Sequence, residues 1–186
     1  MTKTALILID IQNDYFDGGL MALDGMDAAA ANAARLLAGA RARREPVFHI
    51  RHIARSDNAP FFRPGTAGSE IHATVRPDRG EAVFEKNRPN SFVGTGLYAA
   101  LRKAGVERII LCGAMSQMCV DATARAAADM GFAVTVVADA CAAASVTYGG
   151  VSVPSEHVHA AIMAPLAASY GNVVTTDDIE NDRRAA

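Results

Sequence analysis

The sequence predicts a single three-layer α/β/α domain, spanning residues 1–186, around a mostly parallel sheet of about six strands. Short apolar runs alternate with longer segments of helical periodicity, the pattern of consecutive βαβ units. Several runs are almost continuously apolar, as expected for strands covered on both faces. The chain has 186 residues, 51% of them apolar, which is enough for one sizeable core and leaves little chain for a second domain.

The first βαβ unit is predicted from residues 5–53. Ala5–Ile11 is an apolar run interrupted only by Asp10, which favours a central buried strand. The glycine-rich segment that follows indicates a loop. Asp24 or Asp27 can cap the next helix, predicted over Asp27–Arg44 and ended by a Glu-Pro pair. Val47–Ile53 then has the β-branched and aromatic content of a second strand.

The middle of the chain is predicted to be less regular. Ala54–Gly80 is rich in proline and glycine, and loops of this length inside a compact domain are usually functional. Ala82–Lys86 is a short third strand ending in lysine. Thr95 can cap a helix over Gly96–Lys103, which is terminated by a glycine.

The C-terminal half continues the alternation. A strand over Arg108–Cys112 ends at Gly113, and an alanine-rich helix opens near Gln117 or Met118 and ends at a second glycine. The remaining segments are a strand over Phe132–Ala138, a loop over Cys141–Val153, a helix over Ser155–Tyr170, a strand over Asn172–Thr175 and a frayed polar tail over Asp177–Ala186. Right-handed crossovers lead us to expect a Rossmann-like sheet with strand order 3-2-1-4-5-6.

Composition excludes some classes of function. The formal net charge is −2 and no basic run is present, so we expect no nucleic-acid partner. Asp10 interrupts the N-terminal apolar run too early for a signal peptide or a membrane span. Cys112, Cys119 and Cys141 form an odd, sparse set with no C-x-x-C spacing, which favours reduced thiols and a cytoplasmic protein, with Cys112 and Cys141 structural.

Three reactive groups are predicted to meet at the carboxyl edge of the sheet. Asp10 ends the first strand, Lys86 ends the third, and Cys119 lies in the first turn of the helix after the fourth. The helix N-terminus and Lys86 should lower the pKa of the Cys119 thiol, the amides of that turn could hold an oxyanion, and Asp10 could be the base. A structural Asp–Lys bridge beside an unrelated core cysteine fits the spacing about as well.

The sequence resembles the isochorismatase-like cysteine hydrolase superfamily along almost its whole length, and its nucleophile segment is most similar to the streptothricin-hydrolase-like branch. The resemblance is carried, in order, by ALILIDIQNDY, FRPGTAGSEIH, EKNRPNSFVGTGL, CGAMSQMCVDATARAA and VVADAC. It implies a catalytic triad of Asp10, Lys86 and Cys119 and a covalent acyl-enzyme. It also implies a cis peptide between Ala114 and Met115, oxyanion donors at the amides of Met115 and Cys119, and a homo-oligomer, dimer or tetramer.

Metal binding is not expected. Nicotinamidases of this superfamily carry an Asp-x-His…His metal set, whereas His49 and His52 alternate between opposite faces of a strand and no aspartate precedes His49 at the right offset. His157 and His159 are two apart on a helix and do not face each other. We therefore predict no metal and no other cofactor, and nicotinamidase activity is disfavoured.

The predicted function is hydrolysis of a C–N bond in a small amide, lactam or carbamoyl compound. We expect rim residues to line the substrate pocket: Phe16, His52, Phe61, Phe62, Phe92, Gln117 and Tyr148. One alternative is isochorismatase-type vinyl ether hydrolysis, which would survive Cys119→Ala. Others are a nucleotide-binding module, disfavoured because IDIQND replaces a glycine-rich phosphate loop, and a non-catalytic binding protein of the same fold.

Overall fold

A computed structural model describes residues 3–184 of the chain. Its main sheet has the order β3-β2-β1-β4-β5-β8, with every neighbouring pair parallel. These strands are β1 (Lys3–Ile9), β2 (Val47–His52), β3 (Ala82–Lys86), β4 (Val106–Ala114), β5 (Ala133–Ala142) and β8 (Gly171–Val174), and a separate hairpin contains β6 (Val146–Tyr148) and β7 (Val151–Val153). The six strands of the main sheet thus follow the predicted order 3-2-1-4-5-6.

Helices cover both faces of this sheet. They are α1 (Met26–Ala42), α2 (Leu97–Lys103), α3 (Asp121–Asp129), α4 (Ser155–Ser169) and α5 (Thr176–Arg184). Both faces of the sheet must be covered by helices, because the side chains of β1 alternate between two hydrophobic cores. Leu6 and Leu8 pack in one cluster with α1, whereas Ile7 and Ile9 pack in the other with α2, α3 and α4. No helix within residues 3–184 combines the length and the apolar character that crossing a bilayer requires.

Two segments predicted to be irregular are ordered. The expected loop over Cys141–Val153 contains the end of β5 and the β6–β7 hairpin, whose turn residues Gly149 and Gly150 both have positive φ, the backbone of a tight hairpin turn. The expected frayed tail forms α5 as far as Arg184. The Thr175 N–H and hydroxyl both donate to Asp178 at the start of α5, and this side-chain cap stabilises the first turn of the helix.

β4 runs through Gly113 instead of ending before it. Gly113 has φ 125°, and a Cβ built there would lie 2.0 Å from the carbonyl oxygen of Ile9, so this glycine permits close strand pairing. The chain then forms one π-helical turn over Ser116–Val120 before α3 begins. Cys119 therefore lies in this π turn and not in the first turn of an α-helix, which corrects the sequence-based expectation.

The long segment 54–80 folds back onto the carboxyl edge of the sheet. It contains two 3-10 turns, Ala67–Ser69 and Ala73–Val75. Gln12 and Ile71 form an antiparallel bridge, and the Asp14 carboxylate accepts a 2.6 Å hydrogen bond from the Phe62 amide. This loop is consequently fixed beside the end of β1, where the predicted site lies.

Candidate active site

Three chain segments bring Asp10, Lys86 and Cys119 together. Asp10 directly follows β1, Lys86 is the last residue of β3, and Cys119 lies in the π turn after β4. The Lys86 ammonium donates to Asp10 Oδ2 at 2.6 Å and to Cys119 Sγ at 3.1 Å. All three side chains are buried, and Asp10 has a left-handed φ of 50°. The geometry is a thiol and a carboxylate bridged by one buried cation.

His52, the last residue of β2, completes the surroundings of this cation. Its Nδ1 lies 3.2 Å from the Lys86 ammonium. An ammonium only donates, so His52 accepts through Nδ1 and carries its proton on Nε2. Burial and then the Lys86 charge lower the pKa of His52, in agreement with a neutral ring. The three protons of Lys86 thus have three acceptors.

The charge on Lys86 is maintained by these neighbours. Burial alone would lower its pKa, but the negative charge of Asp10 and the hydrogen bonds to Asp10 and Cys119 outweigh burial, and the Lys86 pKa is raised. The ammonium is therefore protonated across the physiological range. It can hold Asp10 in place and oppose negative charge on sulfur without taking part in proton transfer.

The Cys119 thiol is less acidic than the sequence analysis predicted. Burial is the largest cause of its raised pKa, and the Asp10 carboxylate raises it further. Lys86 lowers the pKa but only partly offsets these two effects. Cys119 therefore rests as a thiol, so a nucleophilic role would require a neighbouring base to remove its proton.

Two buried acceptor atoms, one in the triad and one in the π turn that carries Cys119, have no hydrogen-bond partner among residues 3–184. They are Asp10 Oδ1 and Gln117 Oε1. The other end of the Gln117 amide is anchored, since Nε2 donates to the carbonyl of Ala144 at 3.2 Å. Buried acceptors are normally satisfied, so these two atoms are suited to accept protons or hydrogen bonds from a bound molecule.

The π turn that carries Cys119 is anchored from several directions. The Met115 carbonyl accepts from the amides of Met118 and Val120 at 3.0 and 3.2 Å. The Ser116 hydroxyl lies 3.1 Å from the carbonyl of Ala142 and 2.9 Å from His159 Nδ1. The peptide bond between Ala114 and Met115 is cis. The turn is therefore tied to both β5 and α4.

The predicted wall residues lie in different surroundings. Phe62 is buried, packs edge-on against Tyr15 at 4.7 Å and lies 5.9 Å from the His52 ring, so it approaches the triad. Phe61 contacts Phe62 at 4.9 Å. Phe16 stacks on His72 at 3.6 Å. Phe61 and Phe62 therefore form one aromatic group with Tyr15 and His52 beside the triad, whereas the stack of Phe16 on His72 is separate from it among the ring contacts of residues 3–184.

The remaining two predicted wall residues are placed differently. Phe92 is buried in the core cluster that also contains Cys119 and lies parallel to Phe132 at 6.5 Å. Tyr148 is 90% exposed on the β6–β7 hairpin. No ring or hydrogen-bond contact joins Tyr148 to the triad within the described part of the chain.

Sequence reasoning missed the roles of Gln12 and Tyr15. Gln12 is fully buried and fixes both main-chain groups of His52, accepting from its N–H at 2.7 Å and donating to its carbonyl at 2.9 Å. Tyr15 is buried near the triad, and burial followed by the charge of Asp10 raises its pKa. A polar residue directly after an apolar strand was the available signal for Gln12.

The structure also groups Asp10, His52 and Cys119 as possible metal ligands. One ligand atom from each lies within 4.8 Å of the other two, and Lys86 Nζ is hydrogen-bonded to all three residues. His49 is separate from this group and pairs with Glu81 at 2.8 Å. The two histidines of β2 therefore do not share a site, as their alternation predicted.

The fold and this edge define a class: three-layer α/β proteins with a buried thiol, carboxylate and ammonium at the carboxyl ends of parallel strands. Comparison with known proteins gives the family. An isochorismatase domain model matches residues 4–178. The chain therefore belongs to the isochorismatase family, and it is a hydrolase of that family whose relatives include amidohydrolases.

Several relatives match over most of the chain. It is 49% identical to the isochorismatase family protein YddQ of Bacillus subtilis, covering 94% of this chain and 97% of that one. It is 33% identical to streptothricin hydrolase of Streptomyces noursei, covering 98% and 63%, and 30% identical to maleamate amidohydrolase of Pseudomonas putida, covering 95% and 84%. A crystal structure of an isochorismatase from Pseudomonas putida superimposes with a TM-score of 0.89 at 35% identity, covering 94% and 89%.

Proposed function

We propose that this protein is a cysteine hydrolase that cleaves the C–N bond of a small amide, lactam or carbamoyl compound through a covalent acyl-enzyme. The observation that carries the proposal is the buried contact of Lys86 with both Asp10 and Cys119. The second carboxylate oxygen of Asp10 is buried and unpaired among the described residues. Two matched relatives named for hydrolysis of streptothricin and of maleamate also support a C–N substrate.

The first half-reaction transfers the substrate acyl group to sulfur. Because Cys119 rests as a thiol, Asp10 takes its proton as sulfur attacks the carbonyl carbon. The C=O electron pair moves to oxygen, and the amides of Met115 and Cys119 stabilise the resulting oxyanion. The Met115 N–H is available, since it makes no hydrogen bond within residues 3–184.

The second half-reaction releases the products. The tetrahedral intermediate collapses, the C–N bond breaks, and Asp10 returns the proton to the departing nitrogen. Water then attacks the thioester and Asp10 removes a water proton. The C–S bond breaks, Asp10 returns that proton to sulfur, and the products are the Cys119 thiol and a carboxylic acid, or a carbamic acid when the substrate is a carbamoyl compound. Lys86 stays protonated throughout and opposes the negative charge that passes between Asp10 and the reacting atoms.

Substrate recognition is proposed to involve the wall at the carboxyl edge. His52, Phe62 and Gln117 are the predicted wall residues with the strongest support, because Phe62 is buried and the other two are partly buried, and each lies near the triad or has an unpaired acceptor. Gln117 Oε1 would accept a hydrogen bond from an N–H or O–H of the substrate. No cofactor enters this mechanism.

We also propose that the protein acts in the cytoplasm as a dimer or tetramer. Three buried free cysteines support a reducing compartment. The subunit number would be measured by light scattering during size-exclusion chromatography. A monomer at micromolar concentration would contradict the oligomeric part without affecting the chemistry.

The central experiment is a turnover screen followed by trapping of the intermediate. Primary amides, N-carbamoyl compounds and lactams are incubated with the enzyme, and ammonia or amine release is measured. Cys119→Ala should abolish release, while Cys112→Ala, at another buried thiol, should retain it. Mass spectrometry of the quenched reaction should show the acyl group on the Cys119 peptide.

Two outcomes would contradict this proposal. Vinyl ether cleavage that survives Cys119→Ala would indicate isochorismatase-type ether hydrolysis. Saturable binding of a screened compound, with no turnover and no acylation, would indicate a non-catalytic binding protein of the same fold.

A further inference from the structure

We infer that Asp10, His52 and Cys119 form a binding site for a thiophilic divalent cation such as Zn²⁺, and that the Lys86 ammonium competes with this cation and weakens its binding in the native protein. The inference concerns inhibition of the protein by metal and not a resident cofactor. It goes beyond the proposed hydrolase activity, because metal binding to these three side chains requires no substrate.

The chemistry of the three ligands suits Zn²⁺. They offer a carboxylate oxygen, an imidazole nitrogen and a thiol sulfur, the donors found in protein zinc sites. The three ligand atoms lie within 4.8 Å of one another. Ligands around a tetrahedral zinc at normal bond lengths are roughly 3.3–3.8 Å apart, so contraction by about 1 Å would complete the site.

The three ligands already converge on a cation. Lys86 Nζ lies 2.6 Å from Asp10 Oδ2, 3.1 Å from Cys119 Sγ and 3.2 Å from His52 Nδ1. A metal ion between the same atoms would occupy nearly the same position as the ammonium. The ammonium and a metal ion cannot share this position, and two cations close together in a buried site repel strongly. Metal binding must therefore displace the ammonium or remove its charge.

The ligands are held in place by their surroundings and not by Lys86 alone. Gln12 fixes both main-chain groups of His52. The Asp10 amide donates to the carbonyl of Ile50 at 3.0 Å. Cys119 is held by the π turn described above. Removal of the ammonium should therefore leave three preorganised ligands, the condition for tight metal binding.

A bound metal would block the proposed chemistry. It would occupy the sulfur lone pair that attacks the substrate and the carboxylate that accepts the proton. The expected result is reversible inhibition by Zn²⁺ that a chelator removes. Since many thiol enzymes are inhibited by zinc, inhibition alone does not identify this site, and the test must report on the ligands directly.

The test is a Co²⁺ titration of Lys86→Met compared with the wild type. Methionine preserves much of the lysine side-chain volume without the charge. Cobalt in a tetrahedral site with a sulfur ligand gives visible d–d bands and a near-ultraviolet charge-transfer band, neither of which requires activity. We expect Lys86→Met to bind one Co²⁺ at least roughly 100-fold more tightly than the wild type.

The controls assign the ligands. Adding Cys119→Ser to Lys86→Met should remove the charge-transfer band, and adding His52→Ala should weaken binding by roughly 10-fold or more. Lys103→Met, in the last turn of α2, should behave as the wild type. Equal Co²⁺ affinity in Lys86→Met and wild type, or a spectrum unchanged by Cys119→Ser, would overturn the inference.

A second measurement covers the case in which Lys86→Met and Lys86→Ala fail to fold, as judged by circular dichroism. Zn²⁺ at millimolar concentration should protect Cys119 of the wild type from alkylation, and His52→Ala should remove the protection. Absence of protection in the wild type, or protection unchanged by His52→Ala, would overturn the inference. Because alkylation is read without substrate, failure here is distinguishable from failure of the proposed hydrolase function.

Discussion

Two histidines three residues apart on β2 have opposite surroundings. His49, in the middle of the strand, bonds Glu81, and Glu81 is held by a bidentate ion pair with Arg41. His52, at the carboxyl end, accepts from Lys86 within a cluster that also contains Asp10 and a thiol. Both rings are kept neutral mainly by burial, which lowers the pKa of each. Burial therefore does not distinguish a histidine of the candidate site from a structural one.

The two histidines differ in the chemistry of the residues around them. The pKa of Glu81 is lowered to about 2, chiefly by hydrogen bonding from Arg41, so this carboxylate stays ionised and structural. At the other histidine, the cluster contains a cysteine thiol with a raised pKa and a carboxylate oxygen without a partner among the described residues. A thiol beside an unsatisfied acceptor, more than charge alone, makes the carboxyl edge the candidate site.

Of the variants that distinguish the His52 cluster from the His49 cluster, Asp10→Asn is expected to have the largest effect. Loss of the base should reduce amide hydrolysis roughly 10³-fold. Removing the Asp10 charge should also lower the pKa of Cys119, so the midpoint of its alkylation profile should move to lower pH, measured by peptide mass spectrometry. Lys86→Met should move it to higher pH. An Asp10→Asn profile that shifts upward would contradict the electrostatic account of Cys119.

The converse experiment is to remove the partner of His49. Glu81→Ala leaves the buried Nε2 of His49 without its acceptor and should lower the free energy of unfolding by about 1–2 kcal/mol. Turnover should stay within roughly 2-fold, because none of the reacting groups changes. Urea unfolding and the amide assay measure the two quantities.

The matched control for Glu81→Ala is Glu85→Ala on β3. The Glu85 side chain is 59% exposed and pairs with Arg51 at the surface, so the loss of stability should be smaller. Equal losses in the free energy of unfolding of the two variants would mean that the Glu81 cluster contributes no more to stability than a surface ion pair.

The pH dependence of stability tests the neutral state of His49. Its folded pKa lies below the unfolded value near 6.5, so below that pH the unfolded chain binds a proton that the folded chain does not. The free energy of unfolding should therefore fall as pH drops through 6.5 toward the lower folded pKa. His49→Gln should make this decrease shallower, as followed by urea unfolding at several pH values. A decrease as steep as that of the wild type would contradict the assignment.

The smallest effect is expected at Tyr148, which contacts neither histidine. Because the side chain is exposed on the hairpin, Tyr148→Ser should change stability by less than about 0.5 kcal/mol. It should also leave KM within roughly 2-fold of the wild-type value. This change is the reference against which the effects of the other variants are compared. A large rise in KM would show that Tyr148 reaches substrate in the assembled protein, as the sequence analysis predicted.

Much of this description could be predicted from sequence because it depends on local patterns. Apolar runs and helical periodicity identified the main-sheet strands and their order. The positions of Asp10 and Lys86 at strand ends placed both at one edge, since carboxyl ends of parallel strands meet there. The β6–β7 hairpin was missed although its Gly-Gly turn was visible, and α5 was missed because tertiary contacts stabilise a polar helix, including the ion pairs of Arg35 with Asp177 and Glu180.

The sequence by itself determined the family pattern, the sheet order and the three residues of the candidate site. Only the tertiary structure decided the direction in which the Cys119 pKa shifts, the position of His52 against Lys86, and the hydrogen bonds of buried Gln12 to the His52 main chain. Each of these depends on distances between residues far apart in the chain and on how completely water is excluded around them. A pKa is set by that local environment, so a pattern that places a cysteine near a helix start could not show that burial and Asp10 outweigh Lys86.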